Sequence, residues 1–218
     1  VTWTAAVTAS AAFLDVNIST DGSVILASTR TQMYLSTDGG ATFAIGINST
    51  TRGLPGSAGI SRVEVAIAPS NNSYMYALMS DNLGETKGVY KSTDKGQNWT
   101  TILTGGSQVL NPLGDQGPYN MALGVHPTNP DMVFVGGQLD LYRYETIWEP
   151  IAFWNQSPAS GAFVHADMHG IMFNPSAPDE MYVITDGGFF RTLNCTDPNP
   201  YFVEKNKDYA TAQCYGVA

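Results

Sequence analysis

The sequence predicts an all-β protein assembled from one repeated four-stranded antiparallel unit. Three observations lead there. No stretch keeps a 3.6-residue apolar period, and short alternating apolar runs are separated by Gly, Pro, Asn and Asp instead. One hairpin pattern recurs on Pro69, Pro127 and Pro175, an interval of roughly 50 residues. A second motif, Ser-x-Asp-x-Gly followed by an aromatic residue, occurs at Ser36–Phe43 and again at Ser92–Trp99.

The hairpins come first. Two residues before the prolines stand Ile67, Val125 and Phe173, and four before stand Val65, Leu123 and Ile171. Seven residues after them stand Tyr76, Phe134 and Tyr182. Alternate apolar residues, a Pro/Asn/Ser turn and a second apolar run make a β-hairpin. A weaker first copy turns at Asp21-Gly22. A third strand follows each hairpin, marked by Tyr34, Tyr90, Tyr142 and Phe190. In the first two copies the Ser-x-Asp-x-Gly turn then leads to a fourth strand through Phe43 or Trp99. In the last two copies the turn motif is lost while the strand register holds. Four antiparallel strands per roughly 50 residues is one blade of a β-propeller, which must bury its faces on neighbouring blades. A sandwich would not repeat in this way, and a β-helix has shorter repeats. The expected blades are 1–58, 59–112, 113–160 and 161–218.

The bulk composition agrees with such a domain. The chain has 218 residues, 43% of them hydrophobic and only 13% charged, so Ser, Thr, Asn and Gly must carry much of its solubility. The net charge of −9 argues against nucleic acid and anionic membranes as partners. No apolar run is long enough for a transmembrane helix. The chain opens on Val1 without a leader, as expected of a processed chain or a segment of something longer. Sequons at Asn17, Asn48, Asn71, Asn98, Asn155 and Asn194 fit an extracellular or cell-surface location. Cys195 and Cys214 are read either as a disulfide or as two separate buried thiols.

The Ser-x-Asp-x-Gly-x-x-aromatic pattern resembles the Asp box, or BNR repeat, of sialidases, sortilin-type receptors and xyloglucan-degrading glycosidases. His165-Ala166-Asp167-Met168-His169, then Pro175 and Asp186-Gly187-Gly188, is similar to a segment of large exported xyloglucanase-like and sortilin-like BNR proteins. The resemblance implies a ring of six to eight blades, with residues 206–218 opening the next one. The remaining partner it implies is the rest of that propeller or another chain, with a polysaccharide or cell-surface protein as ligand. It also implies that the Asp boxes lie away from the active centre. The xyloglucanase-like families use paired aspartates with a motif resembling Asp-x-Gly-Gly-x-x-Arg. Here Asp186-Gly187-Gly188-Phe189-Phe190-Arg191 lacks the spacer between Asp and the first Gly.

Read as chemistry, the candidates divide by role. Ser36, Asp38, Gly40, Phe43, Ser92, Asp94, Gly96 and Trp99 are structural: the carboxylates hold tight turns, the glycines supply unusual backbone angles, and the aromatics pack between sheets. His165, Asp167 and His169 fall on one face of a strand if that stretch is extended, near the mouth of the channel. They read as a polar plug, as ligand-facing groups, or as metal ligands if the strand bends. No metal or other cofactor is required. Asp167 and Asp186 are the candidate catalytic carboxylates, since glycoside hydrolysis wants two. Trp148, Trp154, Tyr142 and Tyr144 read either as core aromatics or as sugar-stacking ones, and Trp148 and Trp154 join His165 and His169 as candidate ligand-binding residues. The five arginines form no recognisable sialidase signature, and no nucleotide-binding loop, HExxH or nucleophile-elbow motif is present. The expectation is an exported propeller that binds glycan or protein at the cell surface, or alternatively an endo-acting glycoside hydrolase of xyloglucanase-like type.

Overall fold

The computed structural model describes residues 7, 9, 11–106 and 110–207. Among them sixteen strands form four antiparallel sheets, each ordered as its strands run along the chain. The first sheet holds β1 (Phe13–Ile18), β2 (Ile25–Thr29), β3 (Met33–Ser36) and β4 (Ala44–Ile45). The second holds β5 (Arg62–Ile67), β6 (Met75–Ser80), β7 (Thr86–Ser92) and β8 (Thr100–Thr104). The third holds β9 (Ala122–Val125), β10 (Val133–Gly136), β11 (Leu141–Tyr144) and β12 (Trp148–Ala152). The fourth holds β13 (Met168–Asn174), β14 (Ala177–Thr185), β15 (Gly188–Thr192) and β16 (Phe202–Glu204). These are the four blades of a β-propeller. Their first strands, β1, β5, β9 and β13, line a central cleft of about 260 Å³ that includes Asn17, Ile67, Leu123, Ile171 and Phe173.

Each sheet alternates residues between a front face, toward the preceding sheet, and a back face, toward the following one. The apolar cores lie between sheets. Leu26, Met33 and Leu35 of the first sheet meet Val65, Met75 and Ala77 of the second. Leu78 and Val89 of the second meet Met121 and Val135 of the third. Phe134 and Leu141 of the third meet Met181, Val183 and Phe190 of the fourth. Polar groups join the same junctions. On β1, Asp15 and Asn17 accept hydrogen bonds from the backbone N–H groups of Val65 (2.7 Å) and Ile67 (3.1 Å).

The two Ser-x-Asp-x-Gly turns share one geometry. Ser36 Oγ donates to Asp38 Oδ1 (2.7 Å) and accepts from Gly40 N (2.9 Å), while Asp38 also accepts from Thr42 N (2.9 Å). Ser92 and Asp94 repeat this with Gly96 N and Asn98 N, at 2.9 and 2.8 Å. These bonds, led by those from Thr42, hold the Asp38 carboxyl down at about 2. Gly40 and Gly96 have φ of 90° and 75°, which side chains with a Cβ resist. Trp99 enters the core between the first two sheets and donates from Nε1 to Gly96 O (3.1 Å). Phe43, its equivalent, was expected to pack between sheets as well. It is only half-buried, because no preceding sheet stands in front of the first one among the described residues.

Asp94→Ala removes three acceptor contacts from a turn that seats Trp99. The expected cost is about 1–2 kcal/mol, a fall in melting temperature of roughly 2–8 °C. Thermal denaturation by circular dichroism checks it, and an unchanged midpoint would contradict a structural role.

Candidate functional site

Strand register separates two faces of the propeller. Ile18, Ile25 and Ser36 are neighbours at one end of the first sheet, so the Ser-x-Asp-x-Gly turns share a face with the first hairpin turns. Met168 pairs with Thr185 at the other end of the fourth sheet. The start of β13 and the β14–β15 turn therefore lie on the opposite face. Ala122 pairs with Gly136, which brings the loop entering β9 to that same face.

There two consecutive residues of the third sheet's entry loop clasp two aspartates of the fourth. Tyr119 donates from its hydroxyl to Asp186, at 3.2 and 3.4 Å from the two carboxylate oxygens. Asn120 donates from Nδ2 to Asp167 Oδ1 (2.6 Å). His169 Nε2 stands 2.7 Å from Asp186 Oδ1, and its ring meets Tyr119 edge-on at 5.1 Å. The backbone N–H of Asp186 donates to Asp167 O (3.1 Å), so the two aspartates occupy one corner. Asp186 is exposed, and Tyr119 is 53% exposed.

Local chemistry explains why the chain folds this way. Asp167 has φ of 60°, a conformation Asp tolerates better than most residues. It lets Asp167 N donate to Gln138 O (3.1 Å) and Met168 N to Gly137 O (2.7 Å), tying the segment to the third sheet before β13 begins. Gly187 lies against the His165 ring, where a Cβ would come within 2.3 Å of Cγ. Gly188 has φ of 103°, and Asn206 brackets it by donating to Gly187 O (2.7 Å) and accepting from Phe189 N (2.8 Å).

The structure thus gathers Asp167, His169 and Asp186, with corrections. The alternation expected of His165, Asp167 and His169 along one strand does not occur, because the left-handed turn at Asp167 precedes the strand. His165 is turned aside, its Nδ1 2.9 Å from Ala166 O. Trp148 lies on the propeller face where the first two sheets carry their Ser-x-Asp-x-Gly turns, packs against the core between the second and third sheets, and donates to Ile102 O (2.8 Å). Trp154 is exposed just beyond β12, where its backbone N–H donates to Asp140 Oδ1 (3.3 Å). Tyr119 and Asn120 carried no signal in the sequence, since the residues that precede the inner strands do not repeat.

Arg62 supports the clasp from the second sheet. It donates from NH1 to Tyr119 O (3.0 Å) and Pro118 O (3.5 Å), and from NH2 to Glu64 Oε2 (3.0 Å). Burial, reinforced by the neighbouring Asp15 carboxylate, pushes the Glu64 carboxyl up to about 7 against the pull of Arg62.

A second cluster joins the third and fourth sheets. His126, Asp179 and Cys195 place their ligand atoms within 4.8 Å of one another. His126 Nδ1 accepts from Thr128 N (3.3 Å) and Asn129 N (3.2 Å), which puts the proton of the neutral ring on Nε2, facing Asp179 Oδ1 at 3.3 Å. That nitrogen then has no lone pair to offer a metal. Burial, with the Asp179 charge beside it, pushes the Cys195 thiol up to about 12. The cluster is a hydrogen-bonded latch between blades. Cys214, the other half of the expected alternatives for Cys195, lies outside the described residues.

No protein-family model and no curated protein sequence matches the chain. Solved structures do. The GH74 enzyme of Niastella koreensis superposes with a TM-score of 0.58 at 19% identity, over 83% of this chain and 28% of that one. The GH74 xyloglucanase from Xanthomonas campestris does so with a TM-score of 0.52 at 17% identity, over 83% and 27%. The nidogen/laminin complex gives 0.55 at 7% identity, over 89% of this chain and 64% of that one. These likenesses establish the propeller fold, and the chain spans under a third of the length of the two GH74 proteins.

Glu64 makes stability depend on pH. Its folded value near 7 exceeds the ordinary 4.5, so the folded chain holds a proton that the unfolded chain has released between those values. The stabilisation is complete below about 4.5, declines as pH rises, and is gone above about 7. Glu64→Gln is expected to flatten this decline in melting temperature between pH 5 and 8, and an equally steep profile would contradict the assignment.

Proposed function

We propose that this chain is an exported Asp-box propeller module that binds glycan at the cell surface, through the face bearing Tyr119, His169 and Asp186. One observation carries the reading: an exposed carboxylate, an imidazole and an aromatic hydroxyl converge beside an exposed ring. A sugar hydroxyl pair needs such acceptors and donors, and its apolar face needs such a ring. The acidic chain disfavours polyanions, so the ligand is a neutral polysaccharide. Kinship with the Asp-box proteins is supported by the matched geometry of the Ser36–Asp38 and Ser92–Asp94 turns. Cell-surface location is supported by the low charge content and the exposed sequon at Asn155.

Hydrolysis is the second reading. The shared corner of Asp167 and Asp186 and the likeness to GH74 enzymes favour it. Against it, a general acid needs a dry, apolar surrounding, whereas Asp186 is exposed and engaged by Tyr119 and His169.

Affinity electrophoresis and calorimetry with soluble xyloglucan and mixed-linkage β-glucan test both readings. Retention by one of these glucans is expected, weakened about tenfold or more by Tyr119→Ala and Asp186→Ala, with no release of reducing ends. Release of reducing ends that Asp186→Asn abolishes would establish the hydrolase instead. Retention unaffected by either alanine variant would remove the site.

A further inference from the structure

We propose that Arg62 is a positioning residue for the face bearing Tyr119, and that a proton gained or lost at Glu64 releases or tightens its hold on that loop. The effect on ligand rests on the glycan-binding reading of the site, whereas the hold itself belongs to three stacked sheets.

Arg62 stands at the start of β5, with the first sheet on one side and the third on the other. Its NH1 donates to Tyr119 O (3.0 Å) and Pro118 O (3.5 Å), consecutive carbonyl groups of the loop that enters β9. Its NH2 donates to Glu64 Oε2 (3.0 Å), two residues along its own strand. Its Nε is buried and has no acceptor among the described residues. The guanidinium is planar, so the acceptor at NH2 fixes where NH1 points. One carboxyl group thereby aims the donors that fasten the Tyr119 loop.

The charges around Glu64 make that aim depend on a proton. Arg62 faces two carboxyl groups, Glu64 on its own strand and Asp15 on β1, and the Asp15 side chain also accepts from Val65 N (2.7 Å). Leu78 of β6 pairs with Glu64, and Ala122 of β9 starts the inner strand of the next sheet, so neither adds charge. Arg30 of the first sheet is directed to Ser61 O (3.2 Å). One cation cannot balance two buried carboxylates, and burial with the Asp15 charge pushes Glu64 up to about 7. Ionised Glu64 makes a charge-assisted bond that keeps the guanidinium under the loop. With Glu64 protonated, the carboxylate that remains is Asp15, on the first-sheet side and away from the loop. The hold on Tyr119 is therefore firm above about 7 and slack below it. Whole-chain stability runs the other way, declining as Glu64 ionises.

The backbone N–H groups of Tyr119 and Asn120 both donate to Gln116 O (2.8 and 3.0 Å), so their hydrogen exchange reports on the loop. After correction for intrinsic rates, their protection is expected to rise about three- to tenfold from about pH 6 to about pH 8. Glu64→Gln should keep the low-pH level throughout, and Arg62→Lys, which lacks the planar fork, should lose the slope as well. His169 also touches Tyr119 but is present in the wild type and in Glu64→Gln, so the difference between their slopes isolates Glu64. A prop that is merely structural predicts the reverse slope, because protection would then follow whole-chain stability. Calorimetry with soluble xyloglucan should show affinity tightening by the same factor in the wild type and not in Glu64→Gln. Protection without a slope, or a slope that Glu64→Gln retains, overturns the proposal. So does xyloglucan affinity that ignores a sloped protection. If no glucan binds at any pH, the glycan reading fails, and the exchange slope still decides whether Arg62 positions the loop.

Discussion

Burial of one sheet face against the next is the constraint on which the rest of this structure depends. A four-stranded sheet has two faces, and both are apolar here. Neither can be covered from within the blade, because the turns that join its strands are too short to fold back. Neighbouring blades supply the missing surface, and the apolar cores lie at the junctions between sheets. At about 25 cal/mol per Å² of apolar surface removed from water, these junctions outweigh any single hydrogen bond in the molecule. They also explain why the repeat tolerates loss of its turn motif in the last two blades. Residues that enter a junction are held by packing, while the turn needs only to reverse the chain.

Polar groups at the junctions add direction to that burial. Lys91, Arg143, Asp15 and Asn17 each send a side chain from one sheet to the backbone or a carboxylate of the next. Such bonds are buried or partly buried and costly to leave unmade. They set the rotation of neighbouring blades, which apolar contact alone leaves loose. The His126–Asp179 contact does the same between the first hairpin of the third sheet and the start of β14.

The two ends of the strands have different chemistry for a related reason. One end carries compact turns whose aspartates are consumed by backbone N–H groups, so those carboxylates have little left to offer a ligand. The other end carries longer entry loops and the β14–β15 turn, where Asp186 meets side chains from a different blade. The site is built across a junction, and its geometry is as rigid as that junction. Arg62 extends the same logic to a third blade by holding the carbonyl groups of Pro118 and Tyr119. The pair of aspartates that suggests hydrolysis is a by-product of this arrangement, since one backbone bond between Asp186 and Asp167 suffices to bring them together.

The strand period, the four repeated units and the Ser-x-Asp-x-Gly turns were determined by the sequence alone. Each rests on residues close together in the chain: alternation places neighbours two apart on one face, and Asp94 bonds partners within four positions of itself. The tertiary structure decided what depends on distant residues. Alternation predicted one polar face for His165, Asp167 and His169, but the left-handed backbone at Asp167 answers to Gln138, a residue of another blade. Alternation left Trp148 open between the core and a sugar platform, and its indole is taken by Ile102 O of the preceding sheet. Tyr119 and Asn120 were invisible because their value lies in what they touch after the third and fourth sheets have stacked. A repeat encodes the shape of each blade locally, whereas a site at a junction exists only once two blades have been brought together.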